Sequence, residues 1–297
     1  MALTQIEAAK LTQDMMLKGV ISTIVRDAPV LSLLPFMDVV GTAVTYNRET
    51  TMPAATFYNV GDTWTEATPT FTQIQTALKI MGGDADVDNF LQQTYANPND
   101  LEAEVVASRA KAVAHLFSTS FWYGDTVTDP KSFDGLTKIV TGGGQEQAVG
   151  VNGGAMTLPL LDEVIDKVKP GKPDALFMTK RSRRQLSALR RASGVTLETS
   201  VDQFGQRVTT YDGIPIYVDD FLTDTETQGS SGAICSSVWA LKFGQGEGVM
   251  GLQNAGIQID PVGELETKDA TRWRVKWYTA LAVFSNLGVA RLKGITA

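Results

Sequence analysis

TRWRVKWYTALAVFSNLGVARLKGI, residues 271–295, changes character half-way along. Trp273, Val275 and Trp277 fall on one side of an extended chain, and Arg272, Arg274 and Lys276 on the other, because side chains alternate across a strand. This half predicts a strand with one wet face. After Thr279 both sides turn apolar, so the strand is expected to run into a core.

The element to cover it is also legible. Residues 97–123, NPNDLEAEVVASRAKAVAHLFSTSFWY, predict one long helix. Asn97 suits the cap and Pro98 the first helical position. Asp100, Glu102 and Glu104 favour the positive end of the dipole, and Arg109 and Lys111 follow. Leu101, Val105, Ala112, Leu116, Phe117 and Phe121 form its apolar stripe. At 1.5 Å per residue it spans roughly 35 Å, the length of a spine.

Working outward, residues 3–26 predict a helix, broken up by Pro29 and Pro35, which together read as an arm. Residues 42–80 are rich in Thr, Tyr, Phe and Val and predict a long two-stranded excursion. A lone hairpin is barely stable in water, so it is expected to lie on something else, such as another copy of the chain. Residues 134–262 alternate helix and strand patterns: LPLLDEVIDKV, then ALFMT, then KRSRRQLSALRR, then a hairpin turning at Asp212-Gly213, then SGAICSSVWALKF. The fold class is therefore α+β (mixed α/β).

Composition narrows the chemistry. The chain has 297 residues, 43% hydrophobic and 20% charged, with a net charge of −7. That is a folded chain, and a poor binder of nucleic acid without sequence preference, which needs cations to displace counterions. The single cysteine, Cys235, allows no internal disulfide and no thiolate zinc cluster. A triad or multi-histidine site would have to use the single histidine, His115, whose surroundings read as packed helix. No span reaches the ~20 apolar residues of a membrane helix, and the N-terminus lacks the pattern of a secretion signal; folding in a cytoplasm is expected.

Three stretches imitate functional motifs. FGQGEGVMG, residues 243–251, resembles a phosphate cradle, and an enzyme using Gly244, Gly246 and Gly248 is the remote alternative. But Gly251 is followed by Leu252 instead of the lysine of a P-loop, and a strand pattern follows where a dinucleotide site needs a helix. A glycine turn between strands is the expected reading. Asp84, Asp86 and Asp88 match the start of a calcium loop, but Asn89 and Tyr95 stand where it needs Gly and Glu; acids on one face of a strand are expected. KRSRRQLSALRR, residues 180–191, holds six cations, and VDDFLTDTE, residues 218–226, four carboxylates. A charged face towards solvent or between subunits is favoured over DNA recognition. No catalytic, cofactor or metal site is expected.

Taken in order, these stretches resemble the tailed-phage major capsid proteins of the Hong Kong 97-like fold. IMGGDADVDNFLQ is similar to the passage from extended loop to peripheral domain, residues 97–125 to the spine helix, and SFDGLTKIV to the link into the axial domain, where a Phe-Asp-Gly-Leu run is characteristic. ALFMTKRSRRQLSALRR and YDGIPIYVDDFL resemble axial-domain elements, and residues 271–295 the closing peripheral strands. The resemblance implies an arm (1–41), an extended loop (42–80), a peripheral domain (81–133), an axial domain (134–262) and closing peripheral strands (263–297). It implies self-assembly into pentamers and hexamers of an icosahedral shell around double-stranded DNA, in a virion assembled in the host cytoplasm. An encapsulin-type cargo compartment is the alternative within the same fold. Expected partners are other copies, a scaffolding protein, a portal and a decoration protein, with no membrane. Met1 stands almost directly before the arm, leaving either a separate scaffolding protein or a form that needs none. Lys79 lies near the loop, but no crosslinking pair is assigned. Candidate contacts between copies are Tyr58 and Trp64 on the loop, Arg181, Arg183 and Arg184 on the basic helix, and Asp219 and Asp220 on the acidic stretch.

Overall fold

The computed structural model describes residues 28–95, 101–194, 198–201 and 207–296. The expected arm helix over 3–26 and the cap at Asn97 and Pro98 lie outside them.

The strand at 271–295 is β13, Ala270–Val283. In a four-stranded sheet it is flanked by antiparallel neighbours, β4 (Lys79–Asp88) and β12 (Val249–Glu264), with β1 (Phe36–Asp38) parallel to β12 on the far edge. Arg272 lies opposite Asp86 and Arg274 opposite Asp84 in register. The wet face is thus a ladder of opposite charges, and the triple-aspartate stretch is a strand. From Ala280 to Val283 every residue is buried, as the loss of alternation predicts.

The long helix, α3, runs Leu101–Tyr123, after two shorter helices, α1 (Pro29–Leu33) and α2 (Asn89–Tyr95). Its C-terminal half carries the core. Phe117, Phe121 and Trp122 are fully buried. Phe117 meets Trp277 of β13 at 4.8 Å between ring centroids and Phe133 at 5.7 Å; Trp122 meets Phe177 and Trp239 at 5.6 Å each. Phe177 and Trp239 belong to a second sheet, so one helix joins two sheets in a single apolar cluster.

The Phe-Asp-Gly-Leu run makes that joint. Phe133 and Leu136 enter the cluster. Asp134 Oδ1 accepts from the N–H and the hydroxyl of Thr126. Gly135 lies so close to the helix end that a Cβ there would sit 2.5 Å from Ser120 O; only glycine fits. The short α4, Leu136–Val140, follows.

The second sheet has eight strands: β5 (Glu146–Ala148), β14 (Val289–Ile295), β11 (Ala233–Leu241), β6 (Ala175–Met178), β9 (Ile214–Val218), β8 (Arg207–Tyr211) and β7 (Glu198–Val201) in that order, with β10 (Glu226–Gln228) paired to β11. One face, with Phe177, Trp239 and Leu241, meets α3. The other, with Leu176, Met178, Val238 and Ala240, is covered by α5 (Leu158–Lys167) and α6 (Lys180–Ala192) through Leu161, Val164, Ile165 and Leu186.

Two boundaries shift from the sequence reading. The strand through residue 262, expected with residues 134–262, is β12 and hydrogen-bonds to β13 along its length. Residues 289–295, expected with the closing strands, are β14 and pair with β11 and β5 in the eight-stranded sheet. The crossings are made by turns. The glycine stretch 243–251 leads from β11 to β12, with Gly244 at φ 131° and Gly246 at φ 87°. A Cβ on Gly248 would meet Lys242 O at 2.0 Å. The turn closes on itself through Val249 N–H to Lys242 O, 2.8 Å. A 3₁₀ turn at Asn286–Gly288 makes the return crossing.

Candidate assembly surfaces

Two strands stand apart from both sheets. Among the described residues, β2 (Ala43–Thr51) and β3 (Thr70–Ala77) pair only with each other. Their Thr-rich, β-branched sequence favours extended backbone. Their base is tied to the end of β13: Tyr46 OH donates to Val283 O (2.9 Å), and Arg48 donates to Val283 O (2.6 Å) and Phe284 O (3.0 Å). Beside this base lies a cleft of roughly 360 Å³ whose lining includes Arg48, Lys79, Phe133 and Asp134. Lys79 Nζ donates across to Pro130 O at 2.9 Å.

Between the strands, residues 52–69 carry no regular structure. Tyr58 and Trp64 stack there at 4.3 Å and 22°. Thr65 N–H donates to the Tyr58 hydroxyl, and hydrogen bonds from Thr56 and Thr65 lower the pKa of that phenol below its ordinary value. Phe57 and Val60 are fully exposed, and Trp64 is 78% exposed. Large apolar groups are thus held out in solvent on a hairpin whose outer edges are unpaired among the described residues.

The charged candidates fall into two groups. Asp219 is 1% exposed; it accepts from Trp122 Nε1 (3.2 Å) and from Phe221 N–H (2.8 Å). As a buried anchor of the helix end, it is withdrawn from any contact surface. Lys180 pairs with Asp220 at 2.7 Å, and Arg181 with Asp224 at 3.5 Å, so the two charged stretches neutralise each other within the chain. Arg183 and Arg184 differ: both are exposed on α6 and neither has an ion pair among the described residues. Thr179 caps this helix, accepting from Ser182 N–H.

Sequence reasoning missed the main buried charge cluster. Arg291 of β14 donates to Glu146 Oε1 (2.9 Å), Glu226 Oε2 (2.9 Å) and Ser237 Oγ (3.1 Å), and lies over the Trp239 ring. Tyr123, the last residue of α3, donates to Glu226 Oε1 at 2.9 Å. Burial first, and then the Glu226 carboxylate, push the Tyr123 phenol well above its ordinary pKa. The one available signal was a pair of cations, Arg291 and Lys293, alternating inside a strand of apolar residues. The partners of Arg291 lie 145 and 65 residues away in sequence, beyond any local pattern. His115 is a half-buried helix residue against Phe221, ring centroids 5.2 Å apart.

Comparison with known proteins matches this architecture to shells. The structure resembles the holo-SrpI encapsulin complex of Synechococcus elongatus PCC 7942 with a TM-score of 0.75 at 18% identity, covering 100% of this chain and 97% of that one. It resembles the capsid of a native GTA particle (TM-score 0.69, 16% identity, 100% of both chains) and a Microbacterium phage Oxtober96 chain (TM-score 0.68, 15% identity, 99% of this chain and 98% of that one). The α+β architecture is thus that of the Hong Kong 97-like phage capsid proteins. No curated protein matches the chain. The model of the phage capsid family matches residues 10–292, nearly the whole chain, and the protein therefore belongs to the phage capsid family, as a structural subunit of the capsid.

Proposed function

We propose that copies of this chain form pentamers and hexamers that close an icosahedral shell around double-stranded DNA. The observation that carries this reading is the hairpin at 43–77, whose outer edges find no partner strand among the described residues and whose tip holds Phe57 and Trp64 in solvent. Ring-forming contacts are heterologous, each copy offering one surface and receiving another. The hairpin lies over a neighbour, Tyr58 and Trp64 bury against it, and the eight-stranded lobe faces the ring centre. The subunit does no catalysis. The wall encloses DNA without binding it specifically, as a net charge of −7 suits. A scaffolding protein, a portal and a decoration protein act with it, and assembly takes place in the host cytoplasm.

A cargo compartment is the second reading, favoured by the encapsulin likeness along the full chain. Electron microscopy of the purified protein, with its absorbance ratio at 260 and 280 nm, tests both. Closed particles rich in nucleic acid support the viral shell. Closed particles holding a second protein and no nucleic acid support the compartment. A chain that stays dispersed under all conditions, and binds nucleotide, would overturn both.

A further inference from the structure

The two helices covering the outer face of the eight-stranded sheet carry opposite charges. Helix α6 buries Ser182 and Leu186. With successive residues about 100° apart, Arg183, Arg184, Ser187 and Arg191 share the opposite side. Helix α5 buries Leu161, Val164 and Ile165 and exposes Asp162, Glu163 and Asp166. Both helices rest on the same apolar cluster, so the position of each is fixed by a core.

Elsewhere on this chain, acids and bases that face each other are paired: Arg272 with Asp86, Arg274 with Asp84, Lys276 with Asp260, Lys180 with Asp220. Arg183, Arg184, Glu163 and Asp166 have no ion pair among the described residues. No ion pair joins the two faces within one subunit among the described residues. Tyr211 stands between them, donating to Asp162 at 2.6 Å with Arg190 5.3 Å from its ring centre. One subunit therefore holds an unmatched basic helix face and an unmatched acidic one, each rigidly backed.

We propose that the basic face of α6, centred on Arg183 and Arg184, docks on the acidic face of α5, Glu163 and Asp166, of a second copy. This rests on the shell reading and names the partner surface for the basic helix. The alternative partner, a nucleic-acid phosphate chain, fits less well: the two faces match in sign and in helical presentation, and the chain is acidic as a whole. Pairs of this kind are individually weak and screened by salt. Repeated around a ring, they set orientation and assembly rate.

The test uses the full chain in three forms: Arg183→Glu with Arg184→Glu, Glu163→Arg with Asp166→Arg, and all four together. Assembly is followed by sedimentation and electron microscopy at low and high salt, and folding by circular dichroism. Each double reversal is expected to raise the concentration needed for assembly by about tenfold or more, and the fourfold exchange to restore it. Glutamine at 183 and 184 gives a milder version that leaves helix propensity intact. Reversed variants that assemble like the unsubstituted chain overturn the docking and leave the shell reading standing. So does a fourfold exchange that fails although it folds. If the 183/184 reversal abolishes binding to a short DNA duplex and leaves assembly unchanged, the face contacts nucleic acid and the docking is overturned. An unsubstituted chain that never assembles removes the shell reading and the docking with it.

Discussion

The hairpin β2–β3 and the strand β13 are both long stretches of β-prone sequence, yet they solve burial in opposite ways. β13 has a hydrogen-bonded neighbour on each side, a helix over one face and a charge ladder on the other. Each hairpin strand has one partner strand, only the base is half-buried against the end of β13 through Val44 and Tyr46, and Phe57 and Trp64 at the tip stand in solvent. Since burial of apolar surface drives folding, β13 should carry the stability of the subunit, and the hairpin, on the proposed reading, that of the assembly. Substitutions in the two regions should therefore separate folding from assembly.

The largest effect is expected at the joint beneath β13. Trp122→Ala removes a fully buried ring that touches Phe121, Phe177 and Trp239 and strips Asp219 of a donor. Such truncations cost about 3–5 kcal/mol, a large part of the ~5–15 kcal/mol that holds a domain. Urea denaturation should show the unfolding free energy falling by that amount, read as a lower midpoint at unchanged slope. A loss under about 1 kcal/mol would mean that the two sheets do not share a core.

Replacing residues 52–69 with a short turn should do the reverse. Subunit stability is expected to change by no more than about 0.5 kcal/mol, while closed particles disappear from micrographs. Normal particles from this variant would end the assignment of the hairpin to a neighbour. Arg48→Ala sharpens the same contrast with a smaller step. It removes two hydrogen bonds tying the hairpin to the end of β13, worth about 1 kcal/mol each, and leaves both sheets intact. Faster proteolysis confined to residues 43–77, with slower assembly, is the expected outcome; a drop in global stability as large as that of Trp122→Ala would place the hairpin in the core.

The contrast also explains what could be read from the sequence. The alternation Trp273, Val275, Trp277 against Arg272, Arg274, Lys276 is local, and the structure bears it out residue by residue. The glycine turn was legible because strand patterns flank it and no phosphate-binding lysine follows. Sheet membership was not. Val289–Ile295 is mostly buried in spite of Arg291 and Lys293, and its pattern does not say against which strands; the glycine turn at 243–251, which carries the chain from one sheet to the other, gives no sign of that crossing in the sequence. Asp219 looked like a surface acid because Asp220, Asp224 and Glu226 follow; its burial depends on Trp122, 97 residues earlier. The unmatched faces of α5 and α6 were only half visible. The basic run could be read from sequence, but only the ion pairs of the folded chain separate Arg183 and Arg184 from Lys180 and Arg181.

The smallest expected effect is an acid one, and it should touch β13 but spare the hairpin. Hydrogen bonds from Arg274 and Arg272 hold the carboxyls of Asp84 and Asp86 below their ordinary pKa, and Asp86 is largely covered, its side chain only 8% exposed. A carboxylate whose pKa is depressed by folding contributes stability that is complete above its unfolded pKa, about 3.9. That contribution is lost as pH falls through the lower, folded value. The arginines stay charged throughout this range, as an arginine does at any pH below its own high pKa. Melting temperature should therefore be flat in this respect near neutrality and fall once the pH drops below about 4. The Asp84→Asn, Asp86→Asn variant should start lower at neutral pH and lose less on acidification, so that the two curves converge. Parallel curves would show the charge ladder to be neutral in stability and leave the apolar face as the sole support of β13. Within the same acid range, the rate of proteolysis at residues 52–69 should not change, since no carboxylate–arginine pair holds the hairpin among the described residues.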